Sequence, residues 1–129
     1  MPKTKDCVLA KSVKHQLDQF NCFISQRERM KTLRSFSNNK EVEKEMFYNF
    51  TKYVICNKYY MELFLEYLQN NNESLKIEIQ NNYISELTKN GHQLIDSYEN
   101  SDMESRYLKM CNYVKDCIDN AKIIVRYLK

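Results

Sequence analysis

A single glycine, Gly91, and a single proline, Pro2, serve the whole 129-residue chain. Glycine is what lets a backbone approach a phosphate or turn sharply beneath a nucleophile. One glycine leaves no P-loop, no dinucleotide fingerprint and no G-x-S-x-G elbow. Tight β-hairpins also favour glycine in their turns. With both scarce, the chain is expected to be all-α, and to fold as one domain over residues 1–129.

Hydrophobic periodicity places the helices. Leu9, Val13, Leu17, Phe20, Ile24, Met30 and Leu33 form a stripe that predicts a first helix over 5–36. Asn38 with Glu41 three residues on reads as an N-cap with its capping-box partner. Behind it, Val42, Met46, Phe50, Val54, Met61, Phe64 and Leu68 predict a second helix over 39–69, the most apolar element. Asn70-Asn71-Asn72 is a turn built without glycine, since asparagine tolerates the left-handed backbone region. Leu75, Ile79, Tyr83 and Leu87 predict a third helix over 73–89, stopped by Asn90-Gly91 with Gly91 as a left-handed cap. A short helix near 92–99 carries Leu94, Ile95 and Tyr98. Ser101 with Glu104 is a second capping box. It opens a last helix over 102–128 that steps through Met103, Tyr107, Met110, Val114, Cys117, Ala121, Ile124 and Leu128. Four main helices with short connections predict an antiparallel bundle. The first two, at about 45 Å each, overhang the shorter third and fourth in this reading.

Charge is uneven along the chain. Residues 1–40 carry nine Lys/Arg against three acids, a local charge of +6, within a net charge of +3. Four cations fall in the eight residues from Arg27 to Arg34. Arg27, Lys31 and Arg34 follow the i, i+4, i+7 spacing of one helical face. Together with Lys11 and Lys14 they are the candidate contacts for a partner. A pI near 8.5 is below the value that by itself marks a nucleic-acid-binding domain.

The chemistry of sites is mostly excluded. Cys111 and Cys117 are the closest pair of cysteines, but six residues set them about 120° apart on a helix, and structural zinc needs four clustered ligands. Ser12 and Lys89 stand three residues before His15 and His92, so the Glu-x-x-His of di-iron bundles is missing. Some helical ribonucleases place Arg four to six residues before His. Here no Arg precedes His15, and the nearest before His92 is Arg34. Glu62 and Glu66, one turn apart, read as a solvated face rather than an acid/base pair. The expectation is no catalytic residue, no metal ligand and no cofactor.

Five cysteines, an odd number, and no apolar leader before them predict free thiols in a reducing, intracellular compartment. No apolar run is long enough to span a membrane. The abundance of Asn, Lys, Tyr, Ile and Phe matches AT-rich codons, pointing to a virus, a mobile element or a low-GC bacterium. Of ten tyrosines, Tyr53, Tyr59, Tyr60, Tyr67, Tyr107 and Tyr113 lie on apolar helices, where they are expected at the edge of the core with their hydroxyls in water. Two functions stay open. One is a non-enzymatic helical protein that binds a protein partner, a second copy of itself included. The other is a nucleic-acid-binding bundle using the basic first helix, such as a small subunit of a nucleoprotein complex.

Overall fold

Asn71 holds the one left-handed backbone among the described non-glycine residues, with φ of 51°. Its amide donates to the Tyr67 carbonyl at 2.8 Å, closing the end of the preceding helix. The Asn72 side chain then accepts from the Ser74 amide at 2.9 Å, capping the start of the next. A two-residue asparagine turn thus reverses the chain as the sequence predicts.

The computed structural model describes residues 4–30, 40–99 and 105–129. They form four helices: α1 (Thr4–Met30), α2 (Lys40–Asn70), α3 (Glu73–Glu99) and α4 (Ser105–Tyr127). α2 packs on α3, α3 on α4, and α1 on α2. Rising positions on α2 meet falling positions on α3, since Tyr59 bonds Glu78 and Tyr53 lies against Gly91. α3 and α4 are antiparallel in the same way: Gln80 Nε2 donates to the Leu128 carbonyl at 2.9 Å, while Gly91 lies against Val114. α2 and α4 run parallel and meet through Phe47–Tyr107, Phe50–Tyr113 and Phe64–Tyr127. Phe20 of α1 places its ring edge-on to Tyr113, with centroids 6.3 Å apart. The result is an antiparallel four-helix bundle.

Gly91 does not cap a helix. α3 continues unbroken through it to Glu99, and no separate short helix exists. A Cβ at Gly91 would meet Val114 Cγ1 at 2.9 Å, Ile118 Cδ1 at 3.0 Å and Tyr53 Cε2 at 3.4 Å. The missing side chain lets α3, α4 and the Tyr53 ring close together, so interhelical packing overrides the turn preference of Asn-Gly. α1 and α3 each span 27 described residues, and the far end of the first helix, on which the expected overhang depends, lies outside the described residues. The boundaries of α2 agree within a residue. The Asn38 and Ser101 caps, and the end of the first helix at 36, lie outside the described residues.

The core is the predicted stripes with one change. Val13, Leu17 and Phe20 are buried from α1, Met46, Phe50, Val54, Met61 and Phe64 from α2, and Ile79, Leu87 and Leu94 from α3. Tyr83 and Tyr107, already in the stripes, have zero exposure, and Tyr53 joins them there rather than sitting at the edge. Tyr60 is buried too and stacks on Tyr83, with centroids 5.1 Å apart.

Candidate functional site

Two buried polar residues stand in the α2 interior, Thr51 and Asn57. The Thr51 hydroxyl is spent locally, donating to the Phe47 carbonyl at 2.8 Å. Asn57 is different, because it falls in phase with Val54 and Met61 and so points inward. Its Oδ1 accepts the Tyr83 hydroxyl proton from α3. Its side chain also lies within hydrogen-bonding reach of the Cys117 thiol on α4, as do Tyr53 and Tyr113. Tyr53 donates to the Val114 carbonyl at 2.9 Å. Tyr83, Asn57, Cys117 and Tyr53 thus link α3, α2 and α4 through one polar relay.

The electrostatics of this relay keep its groups protonated at neutral pH. Burial pushes the Cys117 thiol up to about 11, outweighing the hydrogen bonds from Tyr113, Tyr53 and Asn57 that favour the thiolate. Burial likewise raises Tyr53, Tyr83 and Tyr113 above the ordinary phenol value, with the neighbouring Cys117 adding to each. The Cys56 thiol is raised by burial and by Glu86, partly offset by a hydrogen bond with Asn90. A nucleophilic cysteine needs a stabilised thiolate and access. Cys117 has neither at neutral pH.

Among the described residues no three His, Cys, Asp or Glu side chains come together in a way that could hold a metal ion. None of the five cysteines is disulfide-bonded; Cys7 and Cys22 are exposed, Cys56 half-buried, Cys111 and Cys117 buried. His15 engages Gln19 Nε2 at 3.2 Å on the exposed side of α1. No described helix is long and apolar enough to cross a membrane.

The basic candidates separate. Lys11 and Lys14 are exposed on α1, one turn apart. Arg27 belongs to the same unbroken helix, but its position lies about 160° around the axis from Lys11. These three therefore do not form one cationic line. Lys31 and Arg34 lie outside the described residues.

A surface that the sequence reading passed over lies on α2. Tyr48, Ile55 and Tyr59 are 57%, 49% and 48% exposed. Steps of seven and four keep them within about 40° of one another around the helix. Lys52 lies on the same stripe, its ammonium 5.1 Å from the centre of the Tyr48 ring. Tyr59 is held from two sides: its hydroxyl donates to Glu78 Oε1 at 3.0 Å, and its ring sits edge-on to Tyr60 at 5.2 Å. That bond with Glu78 also raises the Tyr59 phenol above its ordinary value. The other exposed large hydrophobics among the described residues are scattered: Val8 on α1, Ile77 on α3, Leu108 and Ile123 on α4. Tyr48, Ile55 and Tyr59 run opposite the apolar stripe and leave its helical period unaltered.

Comparison with protein-family models, with curated proteins and with solved structures finds no match to this chain.

Proposed function

We propose that this bundle is a non-enzymatic interaction protein that binds a protein partner through the outward face of α2. The observation that supports this most is the alignment of Tyr48, Ile55 and Tyr59 on one exposed stripe. Single exposed apolar side chains are ordinary on any surface, whereas an aligned set marks a contact surface. Tyrosine suits this role, since its ring buries apolar area and its hydroxyl stays satisfied at the rim. The raised, buried Cys117 and the absence of a described ligand cluster leave the interior to structural work.

A photoreactive residue at position 55, with Asp119 as the control position, tests this in the cells of origin. Adducts with protein from position 55 and none from 119 are expected. No protein adduct from position 55 overturns the reading.

Nucleic acid is the second reading, favoured by the exposure of Lys11 and Lys14 on one side of α1. Titration of labelled duplex against salt checks it. Binding with a log–log slope of about 0.9 per phosphate contacted, lost in Lys11→Glu/Lys14→Glu and accompanied by no protein adduct, would replace the first reading with the second.

A further inference from the structure

The outward stripe of α2 is charged in a pattern that complements itself. Lys52 lies among its apolar residues toward the N-terminal end, and Glu62 and Glu66 follow Tyr59 toward the C-terminal end, both exposed. Taking the level of Asn57 as the midpoint, Ile55 and Tyr59 stand two residues to either side. Lys52 and Glu62 stand five residues to either side, and Tyr48 and Glu66 nine. A two-fold axis at this level lays a second α2 antiparallel on the first. Ile55 then meets Tyr59 of the partner subunit, and Lys52 meets Glu62 of the partner subunit, each contact occurring twice. Parallel pairing would instead set Lys52 against Lys52 of the partner subunit and Glu62 against Glu62 of the partner subunit, and like charges brought together disfavour a contact.

We infer that the partner of this face is a second copy of the chain, docked antiparallel through α2. The inference rests on the interaction reading above and names its partner. The intrachain contacts on the stripe do not oppose it. Lys58 and Glu62 approach to 3.6 Å at the surface, and exposed pairs of this kind contribute little. Lys52 over Tyr48 is equally exposed and is free to swing to a carboxylate. Tyr59, fixed by Glu78 and Tyr60, presents a ring that loses little freedom on docking. One helix face per copy belongs to the small class of interfaces, below about 1,200 Å² in total. The dimer therefore dissociates on dilution.

Sedimentation equilibrium of the full chain over about a hundredfold range of concentration tests the inference. The average mass is expected to rise from one chain to two. Lys52→Glu and Glu62→Lys should each weaken association by about tenfold or more, with the helical circular dichroism unchanged. The double swap Lys52→Glu/Glu62→Lys should restore it, because the opposite charges meet again across the axis. Residues 52 and 62 are about 15 Å apart along their own helix, so restoration has no intrachain explanation. A chain that stays monomeric throughout, or a swap no better than the single variants, overturns the dimer. Adducts from position 55 to other proteins but never to a second copy overturn it as well, and leave the interaction reading standing. No protein adduct at all overturns both.

Discussion

The Tyr53 hydroxyl crosses from α2 to donate to the backbone carbonyl of Val114 on α4 at 2.9 Å, in a site with no solvent exposure. A tyrosine there is not an edge residue but a tie between two helices that run parallel across the interior. Tyr53→Phe keeps the ring and removes the tie. It is expected to cost about 1 kcal/mol, the net worth of an ordinary buried hydrogen bond. Asn57→Ala should cost more, about 2–3 kcal/mol, because it also strands the Tyr83 hydroxyl and leaves a gap. Urea midpoints at constant slope measure both, and an Asn57→Ala cost below that of Tyr53→Phe would remove Asn57 from the centre of the relay.

Gly91→Ala separates helix propensity from packing. Propensity alone favours alanine by about 1 kcal/mol inside a helix. The structure predicts the opposite sign, a loss of about 1 kcal/mol, because the new methyl would meet Val114 Cγ1 at 2.9 Å. Val114 is β-branched and fully buried, so it has little room to turn. Thermal unfolding decides between the two, and a raised midpoint would refute the close-approach role.

Stability should fall in alkali through identifiable groups. Cys117 is raised from an ordinary 9.0 to about 11, so the folded state holds its proton where the unfolded chain has lost it. That contribution is complete below pH 9 and is lost as pH climbs toward about 11. Tyr53, Tyr83 and Tyr113, raised from 10.0, extend the loss to higher pH. Midpoints measured across this window should decline, and Cys117→Ala should flatten the lower part of the decline. A pH-independent midpoint there would contradict the assignment.

Thiol labelling of the native protein at mildly alkaline pH should sort the cysteines by access. Cys7 and Cys22 react first, and Cys117 reacts only on unfolding. Peptide mapping of a short pulse of alkylating reagent reads this directly, and early modification at Cys117 would mean that the core opens far more readily than its packing implies.

The α2–α3 turn depends on two asparagines with different tasks. Asn71→Val forces a β-branched side chain into φ of 51° and should cost about 1–2 kcal/mol, whereas Asn71→Gly should be close to neutral. Asn72→Ala removes the acceptor of the Ser74 amide and should cost about 1 kcal/mol. Equal effects for Asn71→Val and Asn71→Gly would show that the backbone there is not held left-handed.

Helix type and phase were legible because each apolar stripe is long and the helical period is unambiguous over several turns. The error at Gly91 arose from reading Asn-Gly as a local stop. Leu87, Gly91, Leu94 and Tyr98 keep the same phase, and the stripe itself shows that the helix runs on. Asn57 was equally visible as the polar position between Val54 and Met61, though its partners Tyr83 and Cys117 are remote in sequence and appear only once the helices pack. The basic segment was legible only as a spacing: Arg27, Lys31 and Arg34 follow one helical period, but Lys31 and Arg34 lie outside the described residues, and Arg27 stands about 160° around α1 from Lys11. Tyr48, Ile55 and Tyr59 of α2 have no periodic signal of their own in the sequence, because three apolar side chains opposite a continuous buried stripe do not alter the helical period.

The two-residue connection between α2 and α3 also sets an order of events in time. Contacts such as Tyr59–Glu78 and Asn57–Tyr83 close short loops and carry a small entropic penalty. The contact between Phe20 and Tyr113 closes the longest loop in the bundle's aromatic network. The α2–α3 hairpin is therefore expected to nucleate, and α1, which buries only Val13, Leu17 and Phe20 among the described residues, is expected to dock last. Run backwards, the same order makes α1 the first helix to leave, so its amides should exchange with solvent well before those around Asn57.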